Sequence, residues 1–217
     1  MKSTALITSI AALLATAHGL ATPVRRTEAP RSPIPEGYGI VDSEQLEWEV
    51  ETTPGGPKVA LNGTVQQVRA QLLEINPKYD EEFAPIISER NAKALEETTP
   101  ASPLHKRDWT VCWGRMAGAR QERIIQGIHY LRGLSGEARN GPGPRNCGRV
   151  SCDLDNSIWY CNDNNFSKSM PWFHIANAAQ VLVNECTWWK DNYTPQVSGE
   201  RWHDDRWFVI VTNAPCN

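Results

Sequence analysis

Residues 147–161, CGRVSCDLDNSIWYC, combine closely spaced cysteines with strand-like runs. The stretch carries three of the six cysteines, and two β-like runs, 149–152 and 157–161, flank the polar segment Asp153-Leu154-Asp155-Asn156. Runs rich in β-branched and aromatic residues on either side of such a segment are typical of a β-hairpin. The sequence therefore predicts that an antiparallel sheet is present here.

Further elements are predicted on both sides of this hairpin. They are a strand at 109–113, a helix with Ile124, Ile128 and Leu131 on one face, a helix from Ser169 to Cys186, and a strand at 206–212. Residues 135–146 and 187–205 are predicted to be loops. We expect an α+β fold of the split β-α-β type, a small disulfide-stapled sandwich in which two helices cover one face of a four-stranded antiparallel sheet.

All six cysteines lie in the C-terminal half of the chain, and their number is even. In a secreted protein this predicts three disulfides, because the oxidising environment favours them and a module of ~110 residues has only a modest core. The sequence does not choose among the possible pairings. The predicted disulfide cysteines are Cys112, Cys147, Cys152, Cys161, Cys186 and Cys216.

The N-terminal residues predict secretion. Lys2 precedes a short apolar stretch and then small residues up to Ala21, as in a signal peptide at residues 1–21. Residues 22–107 hold ten of the fifteen prolines, which predicts a largely disordered propeptide with one helical island at 65–73. The dibasic pair Lys106-Arg107 ends this segment and resembles a site for kexin-type proteases. The predicted working part is therefore residues 108–217, although a permanent N-terminal linker is the alternative.

Exposed aromatic residues are the first candidates for a functional site. Trp188 and Trp189 are adjacent in a predicted loop, where two indoles are not easily both buried, so they suit stacking on a sugar or insertion into a protein pocket. Trp202 and His203 lie in a polar cluster at the end of that loop. A hydrophobic plug over the sheet edge is the structural alternative. The sequons at Asn62, Asn165 and Asn192 are candidate glycan acceptors and support secretion.

The same polar cluster allows a catalytic interpretation. Glu200, His203 and Asp205 provide the carboxylate and imidazole groups that a secreted ribonuclease would use, with nearby arginines to hold a phosphate. No second acid or base can be placed opposite them, so we assign no catalytic residue. The cysteine spacing lacks paired zinc motifs, and His203 has no remote partner ligand. We therefore expect no metal and no cofactor.

Charge gives little guide to the partner. Eleven Lys and Arg residues balance eleven Asp and Glu residues from position 108 onward. A nucleic-acid-binding domain should show a basic excess, so we expect no nucleic acid as partner in the main interpretation. A monomer that binds a protein, a membrane protein or a glycan is the expectation.

Three blocks of the module carry a family resemblance: 147–152, 156–164 and 207–211. They are similar to blocks in candidate effectors among the small cysteine-rich secreted proteins of filamentous fungi. Their order, with the helix that ends at Cys186, resembles the killer-toxin-like α/β-sandwich, although killer toxins carry more cysteines. The resemblance implies an extracellular effector or toxin-like protein that binds a host or competitor target rather than catalysing a reaction. A small hydrolase, most plausibly a ribonuclease, and a carbohydrate-binding module are the alternatives.

Overall fold

The computed structural model of the protein describes residues 38–41, 46–97, 108–114 and 117–216. The predicted signal peptide and the dibasic pair Lys106-Arg107 lie outside the described residues. We call residues 46–97 the N-terminal lobe and residues 108–216 the C-terminal module. Within the described part of the chain, no helix combines the length and apolar character needed to cross a membrane.

The fold is α+β, with helices and mainly antiparallel sheets. The first strands and helices are β1 (Gly39–Val41), β2 (Glu47–Glu51), β3 (Lys58–Asn62), α1 (Val65–Ile75) and α2 (Tyr79–Glu97). The module begins with β4 (Trp109–Cys112), β5 (Ala119–Arg120), α3 (Gln121–Arg132), β6 (Glu137–Asn140), β7 (Asn146–Asp153) and β8 (Asn156–Asn162). It continues with β9 (Lys168–Pro171), α4 (Trp172–Cys186), β10 (Thr187–Trp189), β11 (Pro195–Val197), β12 (Gly199–His203) and β13 (Trp207–Asn213).

The main sheet has six strands in the order β1-β7-β8-β13-β12-β4, rather than the predicted four. β7 and β8 form the predicted hairpin, with Cys147 opposite Cys161. The additional strands are β1, which pairs in parallel with β7, and β12, which lies in the segment predicted to be a loop. A smaller sheet has the order β10-β11-β5, and a four-stranded sheet has the order β3-β2-β6-β9. Short strands such as β6 and β10 are stabilised by cross-strand pairing. Local composition does not reveal this pairing, so both segments were predicted to be loops.

The main sheet has buried side chains on both of its faces. On β13, Val209 and Val211 join the main core with Ile128 of α3 and Leu182 of α4, so both helices pack on the same face. Phe208 and Ile210 point to the opposite face, where they pack with Trp159 and the two cysteines of the hairpin. Period-two alternation places these two sets of residues on opposite faces. The α+β class is therefore as predicted, but the predicted four-stranded sheet with two helices is replaced by a six-stranded main sheet and two smaller sheets.

Three disulfides stabilise the module, as predicted. They join Cys112 to Cys186, Cys147 to Cys161 and Cys152 to Cys216. All three therefore lie within residues 112–216.

The prediction that residues 22–107 are largely disordered was wrong for the N-terminal lobe. Leu46, Trp48, Val50, Val68 and Leu72 are fully buried and belong to the same core as α3 and α4. The proline content of the whole segment concealed the alternating run Glu47-Trp48-Glu49-Val50-Glu51, which forms β2. This run has the period-two pattern of a half-buried strand, and its apolar side chains supply the core contacts.

Candidate functional site

The predicted binding residues fall on two different sheets. Trp188 and Trp189 lie on β10, in the three-stranded sheet, whereas Trp202 and His203 lie on β12, in the six-stranded sheet. The first pair belongs to a hairpin of β10 and β11, residues 187–197, which we call the aromatic hairpin. In the second pair, His203 packs against Asp108, whereas Trp202 packs in an aromatic stack on the opposite face of the sheet. The two groups therefore have different environments.

The aromatic hairpin presents two large side chains to solvent. Trp189 is 60% exposed and Tyr193 is 89% exposed. Trp189 is paired with Pro195 across the two strands, and Trp188 is paired with Gln196. Trp189 projects from a strand, whereas Tyr193 lies in the turn between the two strands, residues 190–194. Tyr193 was not predicted as a site residue, since no local pattern marks it.

The turn of the aromatic hairpin is held by Asp191. Its Oδ1 accepts a hydrogen bond from the backbone N–H of Tyr193 at 2.8 Å, and its Oδ2 accepts one from Thr194 Oγ1 at 3.1 Å. These hydrogen bonds to the charged form, first the one from Tyr193, hold the pKa of Asp191 below its ordinary value. Such an Asx turn limits the conformations of the segment that carries Tyr193. A pre-ordered loop loses less entropy when a partner binds.

A cavity of about 600 Å³ opens beside Trp188. The lining residues include Arg120, Asp155, Gln196 and Lys190, so charged and amide groups face an indole ring. Gly118 permits this arrangement, because a Cβ at that position would lie 2.8 Å from a ring carbon of Trp188 and 2.5 Å from Gln196 Oε1. An aromatic wall beside polar groups is suited to a sugar or another polar ligand.

His203 is partly buried, with 14% of its side chain exposed. Its Nδ1 lies 2.9 Å from Asp108 Oδ2, and its ring stacks on Trp207 at a centroid distance of 3.8 Å. Its Nε2 is buried and has no hydrogen-bond partner in the described residues. Arg201 Nη2 lies 3.5 Å from the same Asp108 oxygen, and the Asp108 side chain is only 3% exposed. The imidazole is therefore packed between Asp108 and Trp207, with its Nε2 shielded from solvent.

The three residues of the ribonuclease alternative are not brought together. Glu200 and His203 are three positions apart on β12, so their side chains lie on opposite faces of the sheet. Glu200 Oε2 accepts a hydrogen bond from Tyr38 Oη at 2.8 Å, and Asp205 pairs with Lys168 at 2.9 Å. Burial and then the hydrogen bond to Glu200 raise the pKa of Tyr38. Each group is thus paired with a neighbour other than His203.

Trp202 lies in an aromatic stack on the other face of the main sheet. Its ring is nearly parallel to those of Phe208, at 3.8 Å, and Trp109, at 5.5 Å. Trp109 lies on β4, the edge strand of the sheet, and is 49% exposed. Trp202 therefore packs against both the exposed Trp109 at the sheet edge and the buried Phe208.

The three predicted glycan acceptors lie on the surface of the protein. Asn62, Asn165 and Asn192 are exposed, and the last lies in the turn of the aromatic hairpin. Their occupancy by glycans stays a prediction. Within the described residues, no three His, Cys, Asp or Glu side chains are grouped so that they could hold a metal ion.

Neither protein-family models, nor curated protein sequences, nor solved structures match this chain.

Proposed function

We propose that this chain is a secreted fungal effector or toxin-like protein that binds a target outside the producing cell through the aromatic hairpin. The observation that carries the proposal is the exposure of Trp189 and Tyr193 on a turn fixed by Asp191. Large aromatic rings contribute much of the binding energy at protein interfaces, because they bury area at little entropic cost. A secretory leader and cleavage of the chain at Lys106-Arg107 complete this proposal.

Three disulfides support an extracellular place of action. They brace a module that would otherwise depend on a modest core, and such crosslinks persist in oxidising compartments. The aromatic hairpin follows Cys186 directly, so the Cys112–Cys186 bridge anchors its first strand. A rigid support beneath exposed loops is the usual arrangement in binding modules.

The test compares two alanine variants of the full chain on host tissue or competing microbes. Trp189→Ala/Tyr193→Ala should abolish cell death or growth arrest, because it removes both exposed rings. Phe166→Ala is the matched control, since Phe166 is also an exposed aromatic residue and lies beside a predicted glycan acceptor, Asn165. The control should act like the wild type. Equal activity of wild type and double variant would reject the aromatic hairpin as the binding surface.

A carbohydrate-binding function is the second candidate, and the cavity beside Trp188 favours it. Its charged and amide groups can bond to hydroxyls while the indole contacts a sugar face. Retention of the wild type on chitin or glucan, lost in Trp188→Ala but kept in Phe166→Ala, would establish this function. Cleavage of RNA that is lost in His203→Ala would instead establish the ribonuclease alternative.

A further inference from the structure

The N-terminal lobe and the C-terminal module share one sheet. β2 of the lobe pairs with β6 of the module, with Trp48 opposite Ala138 and Glu47 opposite Arg139. The two backbones approach closely at Gly136, where a Cβ would come into direct contact with the carbonyl oxygen of Glu49. The lobe therefore completes a four-stranded sheet of which the module alone contributes only β6 and β9.

Side chains of α2 complete the C-terminal end of α3. Arg90 Nη2 donates hydrogen bonds to the carbonyl oxygens of Arg132, at 3.0 Å, and Leu134, at 2.7 Å. The last carbonyls of a helix have no partner within the helix, so they need one from elsewhere. Tyr79 Oη accepts a hydrogen bond from the buried N–H of Ser135 at 3.1 Å. Separation of the lobe would expose these groups or leave them without partners.

Apolar contacts between the two parts are fully buried. The indole of Trp48 stacks on that of Trp172, the first residue of α4, and neither ring is accessible to solvent. Leu46 packs over Gly148 of β7, whose missing side chain makes room for it. Burial of such large apolar side chains is a main source of stability, so these contacts oppose separation of the two parts. Interfaces with such a core resemble those of permanent complexes rather than transient ones.

No disulfide crosses between the lobe and the module. All six cysteines lie in residues 112–216, and they pair with one another. The covalent connection is therefore the polypeptide itself, through residues 98–107. A cut at Lys106-Arg107 would leave only the noncovalent contacts described above.

We infer that the N-terminal lobe stays bound to the C-terminal module after this cut, so that the working protein is a noncovalent complex of two chains. The inference rests on the processing included in the proposed function. Neither part has a complete core, because Trp48, Leu72 and Trp172 belong to one cluster. Short helices and a two-stranded hairpin are marginal by themselves in water. The lobe is thus a subunit that completes the fold, rather than a segment that is discarded.

The first experiment cuts the purified full chain with a kexin-type protease. Lys106-Arg107 and Arg25-Arg26 are the only two dibasic pairs in the sequence, so the products are defined. In native buffer both fragments should elute in one size-exclusion peak at the position of the uncut protein. In urea without reductant they should separate. Two peaks in native buffer would overturn the inference, whether or not the module then aggregates.

The second experiment tests which contacts hold the lobe. Trp48→Ala in the cut protein should raise the Kd between the fragments by roughly 100-fold or more, because it removes a fully buried indole from the interface. Trp189→Ala makes the same chemical change at an exposed position and should leave the Kd unchanged. An unchanged Kd in Trp48→Ala would overturn the assignment of this interface. If the uncut Trp48→Ala chain fails to fold, Arg90→Ala tests the same interface, and an unchanged Kd there would likewise count against it.

Processing of the precursor, retention of the lobe and binding by the aromatic hairpin can be tested separately. Mass analysis of secreted protein shows whether the precursor is cut in the producing cell, whereas the cut in vitro shows whether the lobe is retained. Secretion of an uncut chain would reject the processing and leave retention measurable. Binding assays with Trp189→Ala/Tyr193→Ala address the aromatic hairpin and depend on neither result.

Discussion

The indole rings of Trp48 and Trp172 lie nearly parallel, with an interplanar angle of 7°, and join the N-terminal lobe to the first turn of α4. Trp48 Nε1 donates a hydrogen bond to the carbonyl oxygen of Gly63 at 2.7 Å, so its polar atom is satisfied within the lobe. The stack therefore joins two distant segments of the chain, and it leaves one buried donor, Trp172 Nε1, without a hydrogen-bond partner in the described residues.

Trp48→Ala should lower the free energy of unfolding of the full chain by about 3–5 kcal/mol, because it leaves a large cavity in the shared core. Trp172→Ala should have a similar effect. The double variant should cost less than the sum of the single changes, since both remove the same contact. Urea unfolding followed by circular dichroism measures all three. A Trp48→Ala loss no larger than that of the exposed Trp189→Ala control would refute the role of this stack.

Local periodicity predicted the elements whose patterns are complete within the sequence. The spacing of Ile124, Ile128 and Leu131 specified α3, and the β-branched run around Val209 specified β13. These signals are reliable because each element buries one continuous face or run of its own residues. The pairing of the disulfides could not be predicted, since it depends on which strands become neighbours.

The lobe and much of the site could not be predicted for a different reason. β2 has a clear alternating pattern, but its strand partner β6 is four residues long and lies in a glycine-rich segment. Trp189 was identified because two adjacent indoles are difficult to bury together, and its ring is indeed exposed. His203 was predicted as a binding residue in a polar loop, but its surroundings depend on Asp108 and Trp207, which only the assembled sheet brings to it.

Loss of the Cys112–Cys186 bridge should release the edge strand β4. The bridge closes a loop with a sequence separation of 74, so its removal as Cys112→Ser/Cys186→Ser should cost about 4 kcal/mol. The amides of β4 should also lose protection from hydrogen exchange, because edge strands have a single paired neighbour.

Cys152→Ser/Cys216→Ser is the matched control, with a sequence separation of 64 and hence a similar entropic cost of about 4 kcal/mol. This variant should leave the hydrogen-exchange protection of the β4 amides, relative to those of β8, unchanged. The same pattern of exchange in both variants would show that the first bridge has no local effect on β4.

Asp108→Ala should destabilise the module by about 3–5 kcal/mol, because it removes the buried carboxylate that faces Arg201 and His203. Asp108→Asn keeps the size of the side chain and tests how much of the loss is due to charge. Glu185→Ala removes an exposed carboxylate from α4 and should change the unfolding free energy by less than about 0.5 kcal/mol. Equal losses in Asp108→Ala and Glu185→Ala would show that the charge cluster does not stabilise the fold.

Alkaline pH should weaken the fold through its buried phenols. Burial is the main cause that raises the pKa of Tyr38, Tyr79 and Tyr160 above the ordinary value of about 10. The folded state therefore retains protons that the unfolded state releases, so this stability is complete below about pH 10 and falls as the pH rises further.

The test for this effect is the free energy of unfolding measured across the alkaline range. Tyr160→Phe removes one buried hydroxyl, which donates to the carbonyl oxygen of Lys168 at 2.9 Å. The variant should lose less stability between neutral and alkaline pH than the wild type. An identical pH profile in both proteins would contradict the contribution of Tyr160.

Gly136→Ala should separate β2 from β6 and so loosen the lobe from the module. Gly136 has a φ of 100°, and a Cβ there would overlap the carbonyl oxygen of Glu49, so both backbone strain and a steric clash oppose the change. Gly55→Ala controls for the strain alone, because Gly55 has a φ of 70° with no atom within 4 Å of the added Cβ. We expect the Gly55 variant to lose about 1 kcal/mol and the Gly136 variant several times more. Since Gly136 belongs to the module and Glu49 to the lobe, a loss at Gly136 no greater than at Gly55 would mean that the two backbones do not pack closely in solution.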